Sequence, residues 1–243
     1  MEITAAEFAE RLQALQSDEE LRKIQRFFKS GEGQYGQGDV FIGVRMGSIF
    51  ALAEVYIDMA PDELERLLES PIPEYRVGAL SIMGKPARRK KTTAERRQAL
   101  FDLYLRRHDR INNWDLVDLA AHQVIGSHLA DRPRDVLYVL ARSQNLWERR
   151  TAMLATWAFV REGDLDDAYA IAAILLNDDE DLIQKVVGWM LRAAGDADRG
   201  RLLAFLEAHG ATMPRTMLRA AIEKLPDAER RRSMGLRANP LIR

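Results

Sequence analysis

The sequence predicts an all-α fold, a curved α-solenoid of stacked helical pairs, and three observations carry that expectation. Nearly every segment repeats its apolar residues with helical period, as in "PDELERLLES", "PRDVLYVLARS" and "ADRGRLLAFLEAHG". Alternating β-branched stretches are scarce. Helical pairs start near residues 61, 93, 132, 164 and 197, a spacing of about 33 residues, in the range of HEAT-like and related solenoid repeats.

In chain order, residues 1–30 read as a helical hairpin opening on "FAERLQAL". The loop "GEGQYGQGDVFIGVRMG" follows over 31–47; its glycines deny a helix, and "DVFIGV" is too short to make a sheet alone. Helical pairs fill about 48–236, and residues 237–243 form a tail, all within one expected domain of 243 residues. Start signals recur at Ser70-Pro71, at Thr93 before "AERR", at Asn113 before "WDLVD" and at Asp131 before "RPRD". Gly195 and Gly210 sit where helices should stop. The second helix of each pair ("WDLVDLAAHQ", "WERRTAML", "LIQKVVGWMLR", "MPRTMLRAAIEK") is expected to line the concave surface, which suits an extended ligand.

Several classes of function fall away on composition. No apolar run approaches the roughly 18 residues of a membrane span, and "MEITAAEFAERL" reads as an amphipathic acidic helix rather than a signal peptide. Zero cysteines exclude disulfides, thiolate zinc sites and cysteine nucleophiles. His108, His122, His128 and His209 show no metal-ligand spacing, and there is no GxxxxGK[ST] phosphate loop, so neither a metal nor a cofactor is expected. The default expectation is a bacterial-type cytoplasmic protein.

The net charge of −1 hides segregation. "KPARRKKTTAERR" holds seven Lys or Arg against one Glu, including Arg88, Arg89, Lys90 and Lys91, whereas the N-terminal region is acid-rich in "SDEE" and "DELERLLE". Phosphate-backbone binding needs such a pattern. "NLWERRTAM" adds Arg149 and Arg150.

Two helices place aromatic and charged residues off the core stripe. At 100° per residue, Ile183, Val186, Val187, Met190 and Ala194 share one apolar stripe, leaving Trp189 at its edge beside Lys185 and Arg192. In "NNWDLVDLAAH", Leu116, Val117, Ala120 and Val124 form the stripe, with Trp114 at the margin and Asp115, Asp118 and His122 on the other side. Asp115 suits the helix macrodipole in the first turn; Asp118 lies beyond its reach, and so lacks that structural explanation.

"WDLVD", "NLWERR" and "LIQKVVGWMLR", in this order and at these separations, resemble the AlkD-type DNA glycosylases of the DNA alkylation repair enzyme family. "YGQGDVFIGVR" and "MPRTMLRAAIEK" extend the likeness from about residue 20 to residue 232. The resemblance implies HEAT-like repeats cradling duplex DNA as a monomer. It also implies removal of cationic N3- and N7-alkylated purines without the deep flipping pocket of other glycosylases. By motif, Asp118 matches the catalytic carboxylate, Trp114 the aromatic before it, Trp189 the aromatic of the "GW" helix, and Arg150 a DNA-contacting arginine. Gly47 after "GVRM" departs from an expected proline.

The chemistry explains those residue types. A cationic alkylpurine needs no general acid to leave, and as it departs positive charge moves onto the sugar. An ionised carboxylate can steady that charge and orient water, while tryptophan π faces favour a cation by about 0.5–2 kcal/mol. Arg149, Arg150, Lys185, Arg192 and the run Arg88–Lys91 are expected to hold the DNA backbone without reading sequence. A lysine nucleophile, for which Lys185 is the candidate, would instead make a lyase through a Schiff base. The alternative from another class is a non-catalytic HEAT-like scaffold for DNA structures or a protein partner.

Overall fold

Short polar side chains begin many of the helices. Thr4 caps α1 (Ala5–Gln13) and Ser17 caps α2 (Asp18–Ile24), each accepting an N–H three residues on. Thr93 does the same for α6 (Ala94–Arg106), Asn113 caps α7 (Trp114–Ala120) and Asn145 caps α10 (Leu146–Ala155). Proline opens α4 (Pro61–Glu69) and α5 (Pro73–Arg88), where its missing N–H costs nothing. The remaining helices are α3 (Met46–Val55), α8 (Ser127–Leu129), α9 (Asp135–Leu140), α11 (Trp157–Val160), α12 (Asp166–Ile174), α13 (Asp181–Ala197), α14 (Arg199–His209), α15 (Arg215–Ala221) and α16 (Asp227–Met234). The computed structural model describes residues 2–26, 28 and 31–236, apart from the side chain of Arg88. Among them there is no strand, and the tail expected over 237–243 lies outside them.

The helices pair as expected. First helices α4, α6, α9, α12 and α14 start at or just after the positions that the sequence period marks, and α5, α7, α10, α13 and α15 are their second helices. The chain forms two compact units, Met1–His128 and Leu129–Arg243. In the first, α5 packs on α3, α4 and α7. In the second, α13 packs on α10, α14 and most extensively α15. The predicted stripes are the buried ones: Leu116, Val117, Ala120 and Val124 in one unit, and Ile183, Val186, Val187, Met190 and Ala194 in the other.

Three local expectations are corrected. Gly195 does not stop a helix but lies inside α13; a Cβ there would come within 2.3 Å of Leu202 Cδ2, so the glycine serves close approach of α14. Ser70-Pro71 precedes α5 without opening it: Ser70 is the C-cap of α4, and Ile72 is the N-cap of α5. "WDLVDLAAHQVIGSHL" is not one regular helix, because residues Ala121–Gly126 form a π-helical stretch between α7 and α8. Such wide turns shift the face that later residues present. Gly210, by contrast, is the C-cap of α14.

The long loop is held by the first turn of α5. Glu74 Oε1 accepts the N–H groups of Ile42 (3.0 Å) and Gly43 (2.9 Å). Arg76 makes an ion pair with Asp39 and donates to Asn112 Oδ1 at 3.1 Å. Gly43 has φ +77°, and a Cβ there would meet Ser17 O at 2.4 Å. Only glycine fits that position.

Candidate active site

Helix α7 presents its chemistry within one turn. The Asn113 side chain accepts the Trp114 N–H at 2.7 Å, which fixes where the helix starts. Trp114 is half-buried; its ring stacks on Phe28 (centroids 5.6 Å, 18° between planes), and Phe28 stacks on Phe41 (5.1 Å, 21°). Asp118 is partly buried one turn later, ahead of the π-helical stretch.

Asp115 is not where the sequence reading puts it. The wheel assigns it to the solvent side, but it is 7% exposed, with Oδ1 accepting the Leu116 N–H at 2.9 Å. Burial pushes its carboxyl up to about 7; the Leu116 N–H and the positive charge of Arg76 pull the other way, and the charge of Asp118 adds to the rise. The wheel fails because α7 is covered from more than one side, by α5 and by a cavity wall built from residues distant in sequence. That cavity, about 390 Å³, lies within the first unit and is lined by Phe28, Phe41, Met46, Glu74, Trp114 and Asp115 among others. Sequence reasoning missed Phe28, Phe41, Glu74 and Arg76 as neighbours of α7. The one signal was the pair of aromatics bracketing a glycine-rich loop.

The exposed run Arg89, Lys90 and Lys91 joins α5 to α6. Arg89 and Lys91 border a cleft of about 320 Å³ with Thr93 and Arg96, while Arg88's side chain lies outside the described residues. This basic edge is the part of the expected DNA-binding set that the first unit presents to solvent.

In the second unit, Trp189 stands on α13 and is 42% exposed, as its place beside the apolar stripe implies. Its neighbour Gly188 explains how the helix is seated: a Cβ at 188 would come within 2.6 Å of Met217 O and Ala220 Cβ, so α15 approaches closely only because the residue is glycine. Arg150 is 1% exposed; it donates to Leu182 O at 2.6 Å, and its guanidinium lies 5.9 Å from the Trp189 ring centre. Here the side chain ties the start of α13 and sits beside the indole.

Arg149 is likewise engaged within its unit, with Asp178 at 2.7 Å and the carbonyls of Ser143 and Gln144 at 2.9 and 3.0 Å. Lys185 pairs with Asp181 at 2.6 Å across one turn, and both are well exposed. Arg192 pairs with Glu223. Exposed pairs of this kind are worth about 0–1 kcal/mol, so they open at little cost to a competing phosphate.

The model of the DNA alkylation repair enzyme family matches residues 8–225. The chain belongs to that family. No curated protein matches the sequence. Among solved structures, the chain is similar to a protein described as a predicted DNA alkylation repair enzyme from Enterococcus faecalis. The two share 17% identity over 87% of this chain and 97% of that one, with a TM-score of 0.67. At that identity the likeness establishes the fold, the α-solenoid of helical pairs, and membership of the family makes DNA repair the role in which its side chains are to be understood.

Proposed function

We propose that the protein is a monofunctional DNA glycosylase that hydrolyses the N-glycosidic bond of cationic N3- and N7-alkylated purines in duplex DNA. The observation that carries this reading is Asp118, held one turn from a stacked tryptophan on a helix of a DNA alkylation repair family member. The C1′–N bond breaks with its electron pair passing to the purine, which leaves neutral. Positive charge develops on the deoxyribose, and the Asp118 carboxylate stabilises it. Water adds its oxygen to C1′, and the proton it loses goes to Asp118 and then to solvent. An abasic site and a free base result. Neutral purines lack the charged leaving group and are left uncut.

Trp189 offers its exposed ring to the DNA, where a partly desolvated cation–π contact is worth about 0.5–2 kcal/mol. Lys185, Arg192, Arg89, Lys90 and Lys91 supply phosphate contacts. The protein acts as a monomer in the cytoplasm. Incubation with N-methylated duplex should release 7-methylguanine and leave abasic sites sensitive to alkali. Duplex binding without release would instead make the chain a scaffold.

A further inference from the structure

The connection between α5 and α6 gathers cations that the fold leaves without carboxylate partners. Elsewhere in the first unit such side chains are spent on acids: Lys85 pairs with Glu54, Arg106 with Glu65, and Arg107 with Glu65 and Glu69. Arg89 and Lys91 are exposed, and among the described residues their side chains make no hydrogen bond or ion pair. Both line the cleft of about 320 Å³, together with Asp58, Thr92, Thr93 and Arg96 among others. The walls of this cleft are braced. Arg89 O accepts the Thr92 N–H at 3.1 Å and Arg97 Nη2 at 2.9 Å, which fixes the turn. Half-buried Arg96 is tied to Met59 O, and Asp58 is close enough to favour its charge.

The start of α6 is not the attraction, because its own side chains serve it. The Glu95 carboxylate accepts its own N–H, and Thr93 Oγ1 accepts that of Arg96 at 3.2 Å. What faces a ligand is three cations against the one carboxylate of Asp58, a net charge of +2, with the Thr92 hydroxyl beside them. A backbone phosphodiester brings a single negative charge. A phosphomonoester brings about 1.5 to 2 near neutrality, with three acceptor oxygens. Only the second matches the cleft, and charge-assisted hydrogen bonds to its oxygens are the strong kind. The place is also separate from the chemistry on α7: Arg76, which donates to Asn112 just before that helix, stands about 20 Å along α5 from Arg89.

We propose that the cleft between Arg89, Lys91 and Arg96 binds a phosphomonoester dianion, either free or as the 5′-terminal phosphate of a DNA strand. The DNA source deepens the role of Arg89 and Lys91 as phosphate contacts and rests on the reading of the protein as a glycosylase. Its abasic product has to be consumed by a strand-cutting reaction. Whether the cut is hydrolysis 5′ to the abasic sugar or β-elimination 3′ to it, a phosphomonoester is left on a 5′ end. The cleft would then let the protein hold a cut strand by that end, at a distance from the helix that carries Asp118.

The test is a binding titration of the full chain with inorganic phosphate and with one undamaged duplex that carries either a 5′-phosphate or a 5′-hydroxyl. At about pH 7.5 the 5′-phosphorylated duplex should bind roughly tenfold tighter, and the preference should shrink at about pH 5, where the group keeps one negative charge. Arg89→Gln combined with Lys91→Gln should erase the preference, whereas Lys90→Gln, outside the cleft, should weaken both duplexes alike. That pattern assigns the cleft to a DNA end. Binding of inorganic phosphate that the double variant loses, with no preference between duplexes, assigns it to the free anion. Neither binding nor preference, a preference undiminished at the lower pH, or one that survives the double variant would overturn the proposal. Base release from alkylated duplex by a chain that prefers neither end would remove the cleft's role and leave the glycosylase reading standing. An end preference without base release would do the reverse.

Discussion

Replacing Asp118 by Asn should leave duplex binding within about threefold of the native protein while slowing release of 7-methylguanine by at least about 100-fold. The size follows from what is removed. Loss of one preorganised group aimed at transition-state charge costs about 10²–10³ in rate, and about 2.7 kcal/mol corresponds to the lower figure. Asparagine keeps the shape of the side chain but carries no charge to set against the sugar. The ground-state complex, held through phosphates, does not depend on that charge. The substitution carries a second signature: because the Asp118 charge raises the Asp115 carboxyl, the Asp115 titration should move down from about 7. A variant that releases base at the native rate would remove Asp118 from the reaction.

Arg76→Met should destabilise the protein by about 3–5 kcal/mol in urea unfolding, the range for breaking a buried ion pair from one side. Arg76 is 1% exposed and the Asp39 side chain 5%, so the substitution strands a carboxylate with no water to solvate it. It also frees Asn112 and the Asp39 end of the loop that walls the cavity. Adding Asp39→Leu should recover much of the loss, because replacing both partners by apolar groups is often neutral. A loss below about 1 kcal/mol, or simple additivity in the double variant, would mean that the pair does not hold the loop.

The architecture was legible because α-solenoids are built from local signals. Thr93 and Asn113 cap the helices they precede, and the stripes read from "WDLVDLAAHQV" and "LIQKVVGWMLRAA" are the buried ones. Trp189 was legible too, since an indole at the edge of a stripe remains partly exposed. What could not be read is whatever depends on residues distant in sequence. The wheel sees Asp115 opposite the stripe of α7, but Phe28, Phe41 and the first turn of α5 close over that side. Gly195 looks like a stop signal, and only the approach of Leu202 reveals its use. Arg149 and Arg150 look like a surface pair, whereas the carbonyl of Leu182 and the carboxylate of Asp178, each about 30 residues away, draw both inward.

The central claim is that the leaving purine supplies its own positive charge and the protein supplies the opposing one. It is tested most directly by measuring single-turnover release of 3-methyladenine, 7-methylguanine and neutral ethenoadenine from otherwise identical duplexes. The account predicts rapid release of the two cationic bases and none above background for ethenoadenine. Release of ethenoadenine at the rate of 7-methylguanine would contradict it.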